Sequence, residues 1–536
     1  MPGASVPGGS VPGGSGPGGA GLSGGSLVRS GWRPGALRVL DPSCGDGRFL
    51  LGARARWGSA VDLFGVDLDD NAVAVARLAV PDADITHADA LEWGWPEAPF
   101  DVVVGNPPFL GQMASRTSRG GRSALGGGAY ADTAALFLAL SARLVRPDGG
   151  VVALVLPQSI LATRDAGPIR AAIAAEAALT DLWVAGESVF EAAVHTIVAV
   201  FQRGRPQHDV RRWFGPDFER VADLSLPGLP GSLVPEVARA DGALADGALA
   251  DGALAEVARA DGALAEVALA DGALADAALA EVARAEVARA EAVLPGLELP
   301  VLDPGPLGGW SSWSFLTADL AGVPAVHPAT AGTLGDMASI TADFRDQYYG
   351  LVGAVSDDAN GPPLITTGLI DAGVCHWGQR PTRFAKQRFG RPRVEIAALS
   401  PALQRWAATR LVPKVLMATQ TKVIEAIADP DGAFLPSVPV LTIVPDLSDD
   451  LWRVLAVLLA PSTSAWAASR YLGAGMTSTA LKLSATQVRT LPLPAQPWDD
   501  AIAPLRAGDW PLFAVAMNRA YAVPDEPVTA WWLAQI

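Results

Sequence analysis

The stretch that decides the fold is Leu37–Leu51, which reads LRVLDPSCGDGRFLL. A short β-rich run ends at Asp41, two glycines follow it, and the pattern then becomes helical. Gly45 and Gly47 carry no Cβ atom, so the backbone can turn sharply there and approach a ligand closely. The spacing lacks the three glycines of a dinucleotide fingerprint and the Gly-Lys-Ser/Thr of a phosphate-binding loop. The stretch predicts the first strand–loop–helix unit of an α/β sheet.

Downstream of this unit, β-rich runs alternate with helical stretches such as Asn71–Val80 and Thr133–Leu144. Alternation of this kind is typical of a mostly parallel sheet with helices on both faces. The last two runs come close together, which favours an antiparallel pair at the sheet edge. The predicted strands are Leu37–Leu40, Asp62–Asp67, Asp84–His87, Asp101–Gly105, Val151–Pro157, Leu182–Ala185 and His195–Gln202.

Acidic residues follow three successive predicted strands, at Asp41, Asp67 and Asp89. One acid alone is typical of a solvated strand end, but three after successive strands meet at the edge where open sheets bind ligands. Carboxylates at these places suit an ammonium group, two ribose hydroxyls and an adenine amino group, which S-adenosylmethionine (SAM) combines. The predicted cofactor contacts are Asp41, Pro42, Cys44, Gly45, Gly47, Asp67, Leu68, Asp89 and Ala90.

The fourth predicted strand runs into Asn106-Pro-Pro-Phe109. Two prolines stiffen this turn and fix the direction of its carbonyls. The Asn106 side-chain oxygen and the Pro107 carbonyl are acceptors that, by converging on an exocyclic amine, make its nitrogen nucleophilic toward a sulfonium methyl group. Phe109 offers a face for an extruded base. The candidate catalytic residues are Asn106, Pro107, Pro108 and Phe109; a rigid turn over a buried Phe is the alternative from the tetrapeptide alone.

Taken in order, these motifs resemble those of the SAM-dependent N6-adenine DNA methyltransferases. The resemblance implies a class I methyltransferase with a doubly wound, mostly parallel, seven-stranded sheet. It also implies the gamma order of motifs, with a mixed α/β target-recognition domain last, as in type II and IIG modification enzymes. It rests on Asp41-Pro-Ser-Cys-Gly-Asp-Gly47, Gly65-Val-Asp67, Asp89-Ala90, Asn106-Pro-Pro-Phe109, Val155-Leu-Pro-Gln-Ser159, Ser188-Val-Phe-Glu-Ala192 and His195-Thr196.

The chain departs from that family before its first strand. The family carries there a helix and a Tyr-Thr-Pro-like segment that contact the methionine part of SAM, whereas residues 1–34 are rich in Gly, Pro and Ser. Such a composition buries too little apolar surface to offset the entropy of ordering, so we predict a disordered tail. Either a replacement segment or a partner subunit completes the site, or the chain is a catalytically impaired, DNA-binding scaffold subunit.

Composition divides the rest of the chain. After a methyltransferase domain at 35–205, we predict a linker at 206–235 and an acidic, Ala-rich insertion at 236–295. The insertion repeats five residues, as in Asp241-Gly-Ala-Leu-Ala, and this period keeps no apolar stripe on a helix. A target-recognition domain at 296–495 and a C-terminal helical tail at 496–536 follow.

The formal net charge of −16 is unevenly distributed. Residues 236–291 carry twelve acids and four arginines, a net of −8, whereas residues 378–423 carry ten Arg or Lys and one acid, Glu395. Because binding depends on the local field, we predict double-stranded DNA as the partner; ion pairs with the surplus acids are the alternative. The predicted DNA contacts are Arg116, Arg119, Arg122, Arg380, Arg383, Lys386, Arg388, Arg391 and Arg393.

The remaining signals concern the compartment and the substrate. The two cysteines exclude a disulfide framework, and neither a signal peptide nor a metal-site spacing is visible, so we expect a cytoplasmic enzyme without a metal. Asn-Pro-Pro turns also serve RNA guanine-N2 and protein glutamine-N5 methyltransferases. The large basic, aromatic second domain favours DNA, and no nuclease motif is visible. A cytosine-N4 enzyme would more often carry Ser at the position of Asn106.

Overall fold

The computed structural model describes residues 35–95, 99–109, 125–128, 131–188, 194–224, 312–473 and 479–536. The predicted tail at 1–34 and the repeat at 236–295 therefore lie outside the described residues. Within the described ranges, no single helix is long and apolar enough to cross a membrane. The bent helix pair at 448–471 passes that test together, by length and composition only.

In the described part of the chain, nine strands form one sheet in the order β3-β2-β1-β4-β5-β7-β6-β8-β9. The first five strands run parallel, and β7 is antiparallel to both neighbours. The predicted doubly wound, mostly parallel α/β sheet is confirmed. Its strands are β1 (Leu37–Asp41), β2 (Val61–Asp67), β3 (Asp84–His87), β4 (Val102–Gly105), β5 (Val151–Pro157), β6 (Ala177–Ser188), β7 (His195–Arg203), β8 (Val210–Phe214) and β9 (Glu219–Leu224).

Helices cover both faces of the sheet. Successive side chains of a strand point to opposite faces; thus Val102 and Val104 belong to one apolar cluster and Val103 to the other. The first cluster includes residues of α1 and α2, and the second includes residues of α3 and α4. Burial on both sides explains why the central strands are continuously apolar. These helices are α1 (Arg48–Trp57), α2 (Asp70–Ala79), α3 (Thr133–Leu144) and α4 (Gly167–Glu176).

The sheet differs from the prediction at its far end. β8 and β9 lie in residues 206–235, which we predicted as a linker, so the sheet has nine strands rather than seven. The β6–β7 pair is antiparallel as predicted, but its predicted place at the sheet edge is wrong, because β8 pairs with β6 on the outer side. β8 contains two adjacent arginines, of which Arg212 is buried.

The described residues after 321 form a second body around an antiparallel sheet in the order β11-β23-β19-β21. Small two-stranded pairings surround this sheet, which makes the body mixed α/β as predicted. Its strands are β10 (Thr330–Thr333), β11 (Ala338–Ala342), β12 (Val355–Ser356), β13 (Leu364–Ile365), β14 (Ile370–Asp371), β15 (Val374–Cys375), β16 (Thr382–Phe384), β17 (Gln387–Phe389), β18 (Arg393–Val394), β19 (Lys414–Met417), β20 (Gln420–Thr421), β21 (Ala426–Asp429), β22 (Leu435–Pro436), β23 (Leu441–Pro445), β24 (Leu481–Lys482) and β25 (Pro492–Pro494).

Helices complete the core of the second body. Phe513, Tyr521 and Trp532, from the stretch predicted as a helical tail, are buried in the same cluster as the central sheet. The stretch is helical, but it forms three helices that share this core rather than one terminal helix. The helices are α5 (Arg345–Leu351), α6 (Pro401–Arg410), α7 (Leu451–Leu459), α8 (Pro461–Tyr471), α9 (Ala485–Arg489), α10 (Ile502–Ala507), α11 (Trp510–Ala520) and α12 (Asp525–Leu533).

Candidate active site

The strand register brings the predicted site residues to one edge of the large sheet. Asp41 lies beside Gly65, Asp67 lies beside His87, and the parallel pairing of β1 with β4 places Gly105 next to the end of β1. The carboxyl ends of the first four strands therefore adjoin one another. The glycine loop, the acids after β2 and β3, and the turn after β4 share this edge.

The loop after β1 is held to β2 by its own backbone. The Cys44 N–H donates to the Val66 carbonyl over 2.9 Å, and the Gly45 N–H donates to Asp67 Oδ2 over 2.8 Å. Gly47 has φ +88° and directly precedes α1. A Cβ at Gly47 would lie 3.3 Å from the Cβ of Ala76, so both the conformation and the close approach require glycine.

Asp41 joins the loop to Asn106-Pro-Pro-Phe109, the turn predicted to be catalytic and called here the catalytic turn. Its carboxylate is 1% exposed, and its Oδ1 accepts the Ser43 N–H over 3.0 Å. The same Oδ1 would lie 2.6 Å from a Cβ built on Gly105, the last residue of β4. Asp41 thus contacts the backbone from which Asn106 continues. Because Asp41 is almost completely buried, its carboxylate holds the two backbone segments together.

Asp67 and Asp89 are half-buried, and backbone N–H groups orient both carboxylates. Asp67 Oδ1 accepts the Asp69 N–H over 2.9 Å, and Asp89 Oδ1 accepts the Leu91 N–H over 3.0 Å. A carboxylate has about four lone-pair positions, so both acids keep capacity for further donors. The Leu68 side chain, 67% exposed beside Asp67, adds an apolar surface.

Pro42, Cys44 and Ala90 are buried as well, like Asp41 and Gly47. Pro42 and Ala90 are covered by the fold, and Cys44 Sγ lies 2.9 Å from a Cβ built on Gly65. Burial, reinforced by the charges of Asp41 and Asp67, raises the pKa of the Cys44 thiol well above its ordinary value. The thiol is therefore neutral, and Cys44 can contribute to the loop through its backbone.

The catalytic turn combines buried and accessible residues. Asn106 is half-buried, Pro107 is buried and Pro108 is exposed. Phe109 is half-buried and packs against the apolar clusters on both faces of the sheet. The turn is therefore anchored by Pro107 and Phe109, and Asn106, half-buried with its side-chain oxygen enclosed, lies at the edge shared with Asp67 and Asp89.

The basic run in the second body separates into groups with different partners. Arg380 pairs with Asp371 over 2.7 Å, and this hydrogen-bonded pair lowers the pKa of the Asp371 carboxyl. The guanidinium groups of Arg391 and Arg393 lie 5.3 and 4.6 Å from the ring centre of Trp377. Arg380 therefore follows the alternative prediction, in which an arginine of this run forms an ion pair with one of the surplus acids.

The other three cations lie on the β16–β17 hairpin, called here the basic hairpin. Ala385 and Lys386 form its turn with positive φ at both positions, as in a type I′ turn. Arg383 stands directly opposite Arg388, and both are exposed, as is Lys386. Among the described residues, no acid forms a salt bridge with any of the three. Like charges opposite each other repel, and a bound anion would relieve this repulsion.

Two groups of residues complete the account of the predicted sites. Arg116, Arg119 and Arg122 lie outside the described residues. Conversely, the sequence reasoning did not single out Arg212, whose buried guanidinium bonds to Asp319, 107 positions along the chain. No local sequence pattern can identify a partner at that distance. The one local signal is an arginine within a short β-rich run, which could have suggested a buried arginine.

Comparisons with known proteins agree with the sheet and its loop. A family described as a methyltransferase domain matches residues 39–115. A type II methyltransferase of Thermus thermophilus is 31% identical over 179 residues, which are 31% of this chain and 40% of that protein. A type II methyltransferase of Vibrio sp. (strain 343) is 28% identical over 120 residues, 21% of this chain and 29% of that protein. The chain thus spans less than half the length of these curated relatives.

A third curated relative and two solved structures add to these matches. A ribosomal protein L11 methyltransferase of Neisseria meningitidis is 41% identical over 99 residues, 17% of this chain and 32% of that protein. The type IIL restriction-modification enzyme MmeI in complex with DNA has a TM-score of 0.44 at 12% identity, covering 92% of this chain and 67% of that one. A type I methyltransferase subunit from Streptococcus thermophilus has a TM-score of 0.29 at 24% identity, covering 36% and 46%. The family and sequence matches confirm the resemblance to SAM-dependent methyltransferases of restriction-modification type.

Proposed function

We propose that this chain, which carries a methyltransferase domain of the class I fold, methylates the N6 amino group of adenine in double-stranded DNA. One observation carries the proposal: the Asn106-Pro-Pro-Phe109 turn begins at Gly105, whose backbone packs on the Asp41 carboxylate of the glycine loop. The cofactor edge and the amine-binding turn are therefore adjacent in one rigid unit.

The residues at the edge fit SAM. A Cβ built on Gly45 would meet no atom within 4 Å, so space is open above the loop. Asp67 would accept the ribose hydroxyls, as acids at this place do in doubly wound nucleotide folds, and Asp89 would accept the adenine amino group. Leu68 would cover the adenine ring, and the backbone around Gly45 and Gly47 would follow the methionine part. When bound there, SAM supplies an electrophilic methyl group.

The turn supplies the complementary chemistry on the substrate side. The Asn106 side-chain oxygen and the Pro107 carbonyl would each accept one hydrogen of the adenine N6 amino group. Hydrogen bonding to both reduces conjugation of the nitrogen lone pair with the ring, so the nitrogen becomes nucleophilic. Phe109, fixed between two apolar clusters, would stack on the base after it leaves the duplex, at a cost of a few kcal/mol, roughly, for unstacking.

The basic hairpin supports DNA as the substrate. Arg383, Lys386 and Arg388 are exposed cations on one short element, and phosphates are the anions that neutralise such groups in DNA complexes. Arg391 and Arg393, which lie over the ring of Trp377, extend this basic surface. Arg116, Arg119 and Arg122, which follow Phe109 in the sequence, are proposed to contact phosphates near the extruded base.

The test is methyl transfer from isotope-labelled SAM to duplex DNA of the source genome, followed by digestion to nucleosides. The expected product is N6-methyladenine, with the signal lost in Asn106→Ala. SAM binding measured by calorimetry should persist in Asn106→Ala and be lost in Asp67→Ala. Tight SAM binding without DNA methylation, or label in RNA or protein, would refute adenine in DNA as the substrate. Absence of SAM binding would instead indicate the scaffold subunit.

A further inference from the structure

A short segment joins the large sheet to the second body. Residues 312–321, called here the strut, run along the end of β5. The Trp313 N–H and the Ser312 hydroxyl both donate to the Leu161 carbonyl, over 2.7 and 3.1 Å. The Trp313 side chain is buried in a cluster of the large sheet, with its ring centre 5.9 Å from that of Phe201. The strut is therefore packed into the core of the large sheet.

The strut is equally attached to the second body. The Ser314 hydroxyl donates to the Leu472 carbonyl, just after α8, over 2.8 Å. Gln158, which is buried after β5, donates to Thr317 Oγ1 over 3.4 Å and lies 3.6 Å from a Cβ built on Gly473. Every group in this chain of contacts is buried, so water does not compete for it.

Arg212 holds the strut through a further set of contacts. Its guanidinium, 1% exposed, binds both oxygens of Asp319 over 2.6 Å and donates to the Leu316 carbonyl over 3.0 Å. The Ala222 carbonyl of β9 accepts from Nε and Nη2 over 3.1 and 2.9 Å. These contacts use the five N–H donors of the guanidinium, a fork that Lys cannot replace.

The strut is attached to the same edge of the large sheet as the catalytic turn. Leu161 and Gln158 belong to the turn that follows β5, and β5 pairs in parallel with β4, with Gly105 beside Leu154. The strut is therefore bound to the same edge that carries Asn106. A shift of the strut would move the second body relative to the catalytic turn.

We propose that Arg212 is a positioning residue that, through Asp319 and the strut, sets the place of the second body over the catalytic turn. This rests on the proposed function, in which the second body holds the duplex and Asn106 acts on the extruded base. The two extra strands then serve as the dock for the strut. A misplacement of about 1 Å between reacting groups can cost about a hundredfold in rate, so a loosened joint should affect turnover first.

The test compares Asp319→Asn, which keeps the side-chain shape but loses the charge, with Asp319→Glu, which keeps the charge. We expect Asp319→Asn to lower kcat at least tenfold while the Kd for SAM and the Kd for duplex DNA stay within twofold. Asp319→Glu should restore most of kcat. The matched control is Glu176→Gln, which removes an exposed pair with Arg203 in the same half of the molecule, and it should leave all three quantities unchanged.

Hydrogen exchange of the amides in residues 312–321 provides a readout independent of activity. Faster exchange there in Asp319→Asn, with unchanged exchange in β1 to β5, is expected. An Asp319→Asn protein with wild-type kcat, or with parallel losses of kcat and SAM binding, overturns the positioning role. If the wild-type protein methylates nothing, the proposed function fails, and the exchange comparison still decides whether Arg212 and Asp319 hold the strut.

Discussion

The contact between Asp41 and Gly105 connects the glycine loop, which is proposed to bind SAM, to the turn that is proposed to bind the adenine amino group. The buried carboxylate touches the loop through Ser43 and touches the start of the catalytic turn through Gly105. A single added methyl group at Gly105 would have to displace Asp41, and with it the loop that ends at Gly47. The close approach of the Asp41 carboxylate and the φ of +156° at Gly105 both favour glycine here.

Gly105→Ala should therefore impair the cofactor site. The new Cβ would lie 2.6 Å from Asp41 Oδ1, and overpacking of this kind costs about 1–3 kcal/mol. We expect a lower melting temperature and a SAM dissociation constant raised at least tenfold in calorimetry.

The control is Gly52→Ala in α1, where a Cβ would meet no atom within 4 Å. Replacing a helical glycine should stabilise the protein by about 1 kcal/mol and leave SAM binding unchanged. Wild-type melting and wild-type SAM affinity in Gly105→Ala would show that Asp41 does not link the loop to the turn.

At the scale of an element, the basic hairpin is built to present charge. Thr382 and Phe384 face the core, while the cross-strand neighbours Arg383 and Arg388 are exposed. Repulsion between these two arginines is tolerated because Phe384 is anchored in the core cluster that also contains residues of α5 and α6. Packing of Phe384 on this core therefore holds the shape of the hairpin.

Arg388→Gln should reduce the salt dependence of DNA binding. A protein that neutralises one phosphate fewer loses about 0.9 from the slope of log Kobs against log salt. We expect this decrease in a fluorescence titration over a range of salt concentrations, and we expect the affinity to fall equally for all duplex sequences.

Arg506→Gln provides the comparison. Arg506, in α10, is also exposed, but it lies over the ring of Trp452 in α7. Its slope should equal that of the wild type. An unchanged slope in Arg388→Gln, or a loss confined to one DNA sequence, would show that the hairpin does not bind phosphates.

Across the whole molecule, Arg212 also joins the two ends of a long excursion of the chain. The Ala222 and Leu316 carbonyls bind the same guanidinium, although residues 225–311, a stretch of 87, lie between them. The chain therefore leaves the sheet and returns to it at nearly the same point, so nothing between these ends is needed to span a distance.

Replacing residues 225–311 with a Gly/Ser linker of about ten residues, which spans roughly 17 Å on average, should preserve the fold. The replacement leaves a shorter connection between Leu224 and Ser312, which lowers the entropic cost of closing it by about 2 kcal/mol, so the melting temperature should not fall. Turnover in the methyl-transfer assay should match the full chain.

A second deletion that also removes the strut, 225–321, gives the contrast, because it takes away Trp313 and Asp319. It should lose turnover. If the shorter deletion unfolds the protein or abolishes turnover, residues 225–311 take part in the fold or in the reaction.

Local signals in the sequence determined the catalytic half as far as β5. The bounds of Asp84–His87, Val151–Pro157 and Thr133–Leu144 agree between sequence and structure, because alternation, apolar runs and helical periodicity depend on near neighbours. The glycine loop and the proline turn were also readable, since their residue types restrict the backbone directly. The topology then brought these ends together without further information.

Only the tertiary structure decided which charged residues are free and which are structural. The sequence could not show that Arg212 is buried and paired, because its partner Asp319 lies 107 positions away. Arg380 differs from Arg388 in having Asp371 beside it, an acid nine positions away. Strand pairing is also non-local: β8 pairs with β6, and this pairing extends the sheet. The partner of Arg212 and the pairing of β8 depend on residues distant in the chain, and no local pattern carries that information.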